Sequence, residues 1–348
     1  MIIQKQEKED SVQHRRSFDD AGLTFRQLIQ RPQGVFGFGV RDALDAAVAE
    51  TAGVECIYAG GYSVALSRMR PDMGMMTMTE ERDAVTDIVR AVSIPVIADI
   101  DDGYGGPLNT HRTIEEFLGR EIYDPRTGHV RRVAGLHMED QVFPKRCGHI
   151  AGKEVVSRET MTKKLELACR LRDEISPSAV IIARTDAFNG KQPGTLQETI
   201  DRIVAYREAG ADLGWPEMNT TNRDVIAAIA KGVRQQLPGY PLAFNYSPSL
   251  EWYEDFKPPT FEELASLGYK FIFVTIAAAH AASMAVYDYA VDFKELGAEA
   301  LWNMQENKQN HPTKSHHEMA RVPMWQELLR RYSPDEEGRQ RKGEGFKK

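Results

Sequence analysis

Short apolar runs alternate with longer amphipathic stretches along most of this chain, and this alternation restricts the fold more than any other feature. The apolar runs occupy residues 34–40, 54–59, 94–100, 134–139, 179–185, 211–217, 240–245 and 269–276. Such continuous apolar runs are typical of strands in a parallel sheet, because helices cover both faces of that sheet. Between the runs, helical patterns lie at 80–92, 158–175, 195–209, 221–236 and 261–267.

Eight candidate strands separated by helices predict an α/β protein, with a (β/α)₈ barrel of the TIM type rather than an open doubly wound sheet. The first run, GVFGFGV, could alternatively be a loop. We expect three regions: an N-terminal arm at 1–33, a catalytic barrel at 34–300, and a C-terminal helical segment with a charged tail at 301–348.

The composition argues against several classes of protein. The net charge of −7 disfavours a nucleic-acid partner, which usually requires a basic excess. An apolar run of about 18 residues is missing from the sequence, so we expect neither a membrane span nor a membrane partner. The three cysteines, Cys56, Cys147 and Cys169, are widely spaced and odd in number, which fits a reducing compartment. We therefore expect a cytoplasmic protein.

Polar side chains follow most of the apolar runs at the point where each run ends. They are Asp99, Asp101, Asp102, Glu139, Asp140, Arg184, Asp186, Glu217, Asn245 and Thr275. In a (β/α)₈ barrel these ends meet at one face, where active sites are built. Converging carboxylates repel one another unless a cation neutralises them, and oxygen ligands favour Mg²⁺ or Mn²⁺. The alternative is that these residues cap helices. Capping could account for any one of them, but it accounts less well for a polar residue at the end of so many apolar runs.

One cysteine lies in a strongly basic segment, KRCGH at 145–149. Positive neighbours favour the thiolate of Cys147 and lower its pKa. This residue could therefore act as a general acid and base, or alternatively as a covalent nucleophile. The other two cysteines, Cys56 in an apolar run and Cys169 in a helical pattern, are predicted to be packing residues.

Six segments carry motifs that resemble those of the isocitrate lyase and phosphoenolpyruvate mutase superfamily, and within it the isocitrate lyases. They are ADIDDGYGGPLN at 98–109, KRCGH at 145–149, IARTDA at 182–187, the DLxWxE pattern at 212–217, NYSPSLEW at 245–252 and GYKFIFVTIAAAH at 268–280. The resemblance covers roughly residues 34–280. It departs at Tyr62, where Trp is usual, at Tyr246, where Cys is usual, and in extra residues at 119–132.

The resemblance implies a metal site and a set of catalytic groups. Asp99 would bind Mg²⁺ directly, and three further carboxylates would complete the metal shell mostly through water: Asp72, Asp101 and Glu139. Arg184 would bridge both halves of the substrate, and Glu217 would lie near the hydroxyl group that loses its proton. Cys147 would protonate the succinate carbanion, while the identity of the hydroxyl base stays open.

The resemblance also implies how a small di- or tricarboxylate substrate would be held. Backbone amides would hold the glyoxylate end, at Gly60, Gly61 and Tyr62. Residues on other loops would hold the succinate carboxylates: Gly148, His149, Asn245, Ser247, Ser249 and Thr275. His149 would thus serve both binding and catalysis.

Cleavage of isocitrate to glyoxylate and succinate by a retro-aldol step is the activity that the resemblance implies, with a homotetramer whose C-terminal helices pack between subunits. Three alternatives remain. The first is cleavage of 2-methylisocitrate to pyruvate and succinate. The second is decarboxylation or hydrolysis of an oxaloacetate-like acid. The third, from a different class, is a catalytically silent barrel that serves assembly or ligand sensing. The pathway, glyoxylate bypass or propionate disposal, is not distinguished.

Overall fold

The structure is a computed structural model that describes residues 18–145, 154–189, 196–254 and 257–333. In chain order its strands are β1 (Phe18–Asp19), β2 (Val35–Val40), β3 (Cys56–Ala59), β4 (Val96–Asp99), β5 (Ile122–Tyr123), β6 (Val130–Arg131), β7 (Gly135–Glu139), β8 (Val180–Thr185), β9 (Leu213–Pro216), β10 (Leu242–Asn245) and β11 (Tyr269–Val274). Its helices are α1 (Ala21–Ile29), α2 (Ala43–Thr51), α3 (Gly61–Ser67), α4 (Met78–Ala91), α5 (Pro107–Leu118), α6 (Arg158–Ile175), α7 (Leu196–Glu208), α8 (Arg223–Gln236), α9 (Phe261–Leu267), α10 (Ala277–Leu296), α11 (Ala298–Asn307), α12 (His316–Met319) and α13 (Val322–Tyr332).

Eight of the strands close into a parallel barrel in the order β10-β11-β2-β3-β4-β7-β8-β9, and β9 pairs with β10 to complete it. Each barrel strand lies within one of the eight apolar runs, so the predicted (β/α)₈ fold is confirmed. The GVFGFGV run forms β2 and pairs in parallel with both β11 and β3, so it is a strand and not a loop.

Aromatic rings fill the barrel beneath the carboxyl ends of its strands. The ring centroids of Tyr58 and Phe273 are 4.3 Å apart, and Trp215 lies 4.8 Å from Phe273. His137 meets Trp215 edge to face at 4.7 Å, a geometry that aromatic pairs favour. These side chains come from four different strands, so their packing fixes the strand ends that carry the polar residues.

The N-terminal region contributes a helix to the barrel. In α1, Phe25 is fully buried and packs edge to face on Phe271, with ring centroids 5.1 Å apart. Arg26 donates hydrogen bonds to the carbonyl oxygens of Ser178 and Ala179 and forms an ion pair with Asp212. Residues 21–29 of the predicted arm are therefore packed onto the barrel, while residues 1–17 lie outside the described residues.

The extra segment at 119–132 forms a small sheet beside the barrel. Strands β5 and β6 pair antiparallel, and β1 adds to β6 in parallel. Arg131 is 2% exposed, forms an ion pair with Asp19 at 2.9 Å, and donates to successive carbonyl oxygens of the α4–β4 connection, those of Val92, Ser93 and Ile94. The segment therefore fastens the C-terminal end of α4, just before β4 leads to Asp99.

The helices that follow the barrel expose many apolar side chains. On α10, α11 and α13 these include Met284, Tyr287, Phe293, Leu301, Trp302, Trp325, Leu328 and Leu329. Helix α10 packs on α11, α3 and β2, and leaves most of its remaining surface exposed. Among the helices of the described ranges, none has the length and apolar character that crossing a membrane requires.

Candidate active site

A cavity lies at the carboxyl ends of the barrel strands. Nine of the residues singled out from the sequence line it: Tyr62, Asp72, Asp99, Arg184, Glu217, Asn245, Ser247, Ser249 and Thr275. Two more, Asp101 and Glu139, form ion pairs with lining residues. Three others, Cys147, Gly148 and His149, lie outside the described residues. The structure thus brings together most of the predicted set.

Asp99 ends β4 and is held on several sides. Its Oδ1 lies 3.0 Å from His137 Nε2 and accepts the Asp101 amide at 2.9 Å, while its Oδ2 accepts the Gly61 amide at 2.9 Å. Burial by itself would raise the pKa of Asp99, but His137, Lys145 and the Asp101 amide lower it below its ordinary value. Asp99 is therefore a fixed carboxylate at neutral pH.

Lys145 bridges two other carboxylates of the cavity. Its Nζ lies 2.7 Å from Asp72 and 2.8 Å from Asp101. Burial raises the pKa of Asp101 to about 7, and Asp99 and Asp72 add to the rise while Lys145 opposes it. Asp101 also has a positive φ of 50°, an unusual backbone conformation that is often found at functional sites. One ammonium group cannot balance all of these carboxylates.

Glu139 ends β7 and is 1% exposed. Its carboxylate lies 3.1 Å from Arg184 Nη1, yet neither oxygen makes a hydrogen bond to any described residue. Burial raises the pKa of Glu139 well above its ordinary value, with Arg184 and Lys145 acting in the opposite direction. Two buried acceptor atoms without donors are able to interact with a positively charged ligand or with its bound water molecules.

The carboxylate oxygens of this cavity fit a hard divalent cation. The group comprises Asp72, Asp99, Asp101 and Glu139, and oxygen-only ligands favour Mg²⁺ or Mn²⁺. Within the described residues, no group of three or more acidic, histidine or cysteine side chains is arranged to hold a metal ion. An ion in this cavity would therefore need water among its ligands, and Mg²⁺ usually keeps several water molecules.

Arg184, at the end of β8, is fixed in position by Asp186 and Trp215. Its Nε and Nη2 donate to the two oxygens of Asp186 at 2.9 and 3.1 Å, and its guanidinium carbon lies 4.6 Å from the ring centroid of Trp215. Asp186 is held in turn, because its amide donates to Asp140. Burial by itself would lower the pKa of Arg184, but Asp186 and Glu139 raise it well above the ordinary value, so the group stays charged.

A chain of hydrogen bonds crosses the opposite side of the cavity. Trp215 Nε1 donates to Glu217 Oε2 at 2.8 Å, Asn245 Nδ2 donates to Glu217 Oε1 at 3.2 Å, and Thr275 Oγ1 donates to Asn245 Oδ1. Both oxygens of Glu217 accept a hydrogen bond, so its carboxylate is held in one orientation. These contacts hold three polar side chains from β9, β10 and the end of β11 in one orientation.

Two residues that line the cavity, Tyr58 and Trp215, and His137, which contacts Asp99, were assigned no role from the sequence. Tyr58, His137 and Trp215 each lie two positions before a polar or glycine residue at a strand end, and side chains two apart in a strand face the same side. That rule would have found them. The sequence marks Lys145 only as a positive neighbour of Cys147. Its contacts with Asp72 and Asp101 join segments that are far apart in sequence, so no local pattern indicates them.

The structural environments of the other two cysteines agree with a packing role. Cys56 is fully buried in β3, and Cys169 is 5% exposed in α6. Burial raises the pKa of Cys169 to about 12 and that of Cys56 higher still. Neither thiol is suited to proton exchange near neutral pH.

Comparison with known proteins places the cavity in context. Residues 25–294 match the family described as phosphoenolpyruvate phosphomutase. An isocitrate lyase of Haloferax volcanii is 40% identical over 325 residues, which cover 92% of this chain and 89% of that protein. A 2-methylisocitrate lyase of Bacillus subtilis is 32% identical over 321 residues, which cover 91% and 94%. The structure of oxaloacetate acetylhydrolase in complex with 3,3-difluorooxalacetate matches with a TM-score of 0.68 at 30% identity, over 81% of this chain and 88% of that one.

Proposed function

Since this chain belongs to the phosphoenolpyruvate mutase and isocitrate lyase superfamily, we propose that it cleaves isocitrate into glyoxylate and succinate. Its relatives are enzymes, among them carbon–carbon lyases, and the chain is accordingly an enzyme of that superfamily rather than a silent barrel. The observation that carries the proposal is the convergence of Arg184, Glu217 and Asn245 with the carboxylates of Asp99 and Glu139 around one cavity.

The cavity would hold Mg²⁺, with Mn²⁺ as an alternative. Asp99 would bind the ion directly, because its carboxylate is ionised and fixed by backbone amides. Asp72, Asp101 and Glu139 would hold it mostly through water. When bound, the ion would act as a Lewis acid that stabilises negative charge on the substrate oxygen atoms.

Arg184 would contact both halves of the substrate and stabilise the dianion that forms on the succinate half. Asp186 and Trp215 fix the plane of its guanidinium group, so little reorganisation is needed as charge develops. The carboxylate of Glu139 lies beside Nη1 of Arg184. It would therefore stand between the guanidinium group and the Mg²⁺ ion. A planar, permanently charged group suits this task better than an ammonium group does.

The two ends of the substrate would be held by different groups. Asn245, Ser247, Ser249 and Thr275 would bind the succinate carboxylates, and all four line the cavity. Gly60, Gly61 and Tyr62 would hold the glyoxylate end, although the Gly61 amide already donates to the Asp99 carboxylate. Glu217 would lie near the substrate hydroxyl group, and whether it removes the proton is open.

Cys147 would supply the proton that completes the reaction. Cleavage of the carbon–carbon bond leaves its electron pair on the succinate carbon, and the Cys147 thiol would transfer its proton to that carbon. Gly148 and His149 would bind a succinate carboxylate, and His149 would help to keep the thiolate stable after the transfer. These three roles rest on the KRCGH motif and on the family.

Cleavage of 2-methylisocitrate to pyruvate and succinate is the second candidate. It is favoured by the relative from Bacillus subtilis, which aligns along almost the whole of both chains. Tyr62, which lines the cavity and replaces the usual Trp, is a place where the substrates could be distinguished. Hydrolysis or decarboxylation of an oxaloacetate-like acid is a third outcome, suggested by the structural similarity to oxaloacetate acetylhydrolase.

The first experiment is to measure Mg²⁺-dependent formation of glyoxylate or pyruvate from isocitrate and from 2-methylisocitrate. The wild-type enzyme is compared with Cys147→Ser and with the matched control Cys169→Ser. Glyoxylate from isocitrate that is lost only in Cys147→Ser supports the proposal. Pyruvate from 2-methylisocitrate alone would assign the second candidate, and no product from either acid would contradict both.

The apolar C-terminal helices support a further part of the proposal, a homotetramer in which these helices pack between subunits. Exposed rings and aliphatic side chains at this density are typical of surfaces that a partner covers. The cytoplasmic location stays a prediction from the sequence.

A further inference from the structure

Glu81 is a buried acid that the roles assigned above do not use. It lies in the first turn of α4 and is 1% exposed, and neither of its carboxylate oxygens makes a hydrogen bond to any described residue. Its neighbour Glu80 behaves in the opposite way, since it turns outward to bind Arg70 and the Thr77 amide. A carboxylate without partners in the interior is costly, so this position needs an explanation.

The position of Glu81 on its helix makes the residue unusual. It belongs to the buried stripe of α4 together with Met78, Val85 and Ile88, where the helical period calls for an apolar side chain. An apolar residue would pack there without an electrostatic cost. The stripe therefore contains a buried acid in the first turn of the helix.

Four charged groups assigned to the site above act electrostatically on Glu81. They are Asp99, Asp101, Lys145 and Asp72. Lys145 is already shared between Asp72 and Asp101, at 2.7 and 2.8 Å, so it does not serve as an ion-pair partner for a further carboxylate. Burial, together with Asp99 and Asp101, raises the pKa of Glu81 well above its ordinary value. Its ionised form therefore needs a further positive charge nearby, which a divalent cation would supply.

We propose that Glu81 is a positioning residue of the metal site, which accepts hydrogen bonds from water molecules bound to the Mg²⁺ ion. The inference rests on the proposed function, because it requires that the cavity bind this ion. Mg²⁺ keeps much of its hydration shell in proteins, and those water molecules need acceptors with a fixed direction. Two buried oxygens without donors supply such acceptors, and the helix holds them in place.

Metal binding by the full-length protein tests this role without any measurement of turnover. Mn²⁺ is titrated with detection of the free ion by electron paramagnetic resonance, and Mg²⁺ by calorimetry. The variants are Glu81→Gln, Asp99→Asn and the control Asp83→Asn, which removes a carboxylate from the same helix where the side chain is 54% exposed. We expect Glu81→Gln to weaken binding about 10-fold, Asp99→Asn to weaken it more, and Asp83→Asn to leave it unchanged.

Thermal melting separates this role from a purely structural one. If Glu81 serves the metal, Glu81→Gln and Glu81→Met melt at the same or a higher temperature than wild type in EDTA, and Mg²⁺ raises their melting temperature less than that of wild type. Lower melting temperatures in EDTA with an undiminished Mg²⁺ effect would overturn the inference. Unchanged Mg²⁺ affinity in Glu81→Gln would overturn it as well while leaving the proposed function intact. Failure of the wild type to bind either ion would overturn both.

Discussion

The guanidinium group of Arg184 lies over the indole ring of Trp215, 4.6 Å from the ring centroid, and its Nη1 lies 3.1 Å from Glu139. The contact joins β8 to β9 and directs the arginine toward the carboxylates of the cavity. The face of an indole ring attracts a cation that lies over it, and this attraction helps to hold the guanidinium group above the ring. The pair therefore orients a positive charge at the place where the proposed reaction develops negative charge.

Substitution of Arg184 by Lys should lower kcat/KM by at least about 100-fold, because an ammonium group cannot reproduce the planar, oriented donors. The loss should appear mainly in kcat. The matched control is Arg207→Lys, which alters an arginine 5.4 Å from the ring centroid of Tyr240 and away from the cavity lining. Steady-state kinetics of both variants checks this, and equal effects in the two would contradict it.

Lys145→Met should destabilise the metal-free protein by about 3–5 kcal/mol, since it leaves the buried carboxylate of Asp101 and the partly buried carboxylate of Asp72 without their shared cation. Mg²⁺ should then restore more stability to the variant than it adds to wild type. Denaturant unfolding in EDTA and in Mg²⁺ measures both effects. Lys163→Met, at an exposed ion pair with Glu166, serves as a control that should change little. A variant as stable as wild type in EDTA would refute the argument.

The barrel could be predicted from the sequence because its strands are continuous apolar runs that end in polar residues such as Asp99 and Glu139. The small sheet of β1, β5 and β6 could not. Its strands are two residues long, too short for any periodicity, and Phe18 pairs with Val130 across more than a hundred residues. Pairing of that kind is decided by tertiary contacts rather than by local pattern.

The residues of the active site also divide into those that a local sequence pattern indicates and those that only tertiary contacts bring together. Residues in recognisable motifs, such as Arg184 and Asn245, were identified together with their general location. Contacts that depend on how distant segments meet were not identified, as with Lys145 between Asp72 and Asp101. The sequence order of these residues carries no information on which carboxylate shares which cation. The roles of Cys147 and its neighbours stay predictions, because they lie outside the described residues.

The acid stability of the protein should depend on Glu80 at the start of α4. The Thr77 amide, Arg70 and the Thr77 hydroxyl lower the pKa of Glu80 to about 2 in the folded protein, against roughly 4.3 when unfolded. Its contribution is therefore present above about pH 4.3 and lost as the pH falls through about 2. Glu80→Gln should reduce stability by about 1 kcal/mol at pH 7 and by almost nothing at pH 2. Urea unfolding at the two pH values checks this, and an equal loss at both would contradict it.

The clamp formed by Arg131 should contribute to stability rather than to catalysis. Arg131→Met removes the donors to three carbonyl oxygens of the α4–β4 connection and leaves Asp19 without its ion pair. We expect a loss of about 2–4 kcal/mol in unfolding free energy. Activity per folded molecule should stay within about twofold, since the residue is outside the cavity lining. Arg112→Met, at an exposed position of α5, is the control for loss of a surface arginine.

Assembly should depend on the apolar face of α13, where Leu328 and Leu329 are each 48% exposed. Charged side chains in a contact between subunits would be buried without partners, so the double substitution Leu328→Glu and Leu329→Glu should dissociate the oligomer. Light scattering measures the mass, which we expect to be about four times 39.2 kDa for wild type and lower for the variant. Glu327→Gln, at an exposed position on the same helix, should keep the wild-type mass. A wild-type mass equal to one chain would show that the apolar helices do not join subunits, and their exposed rings would then need another explanation.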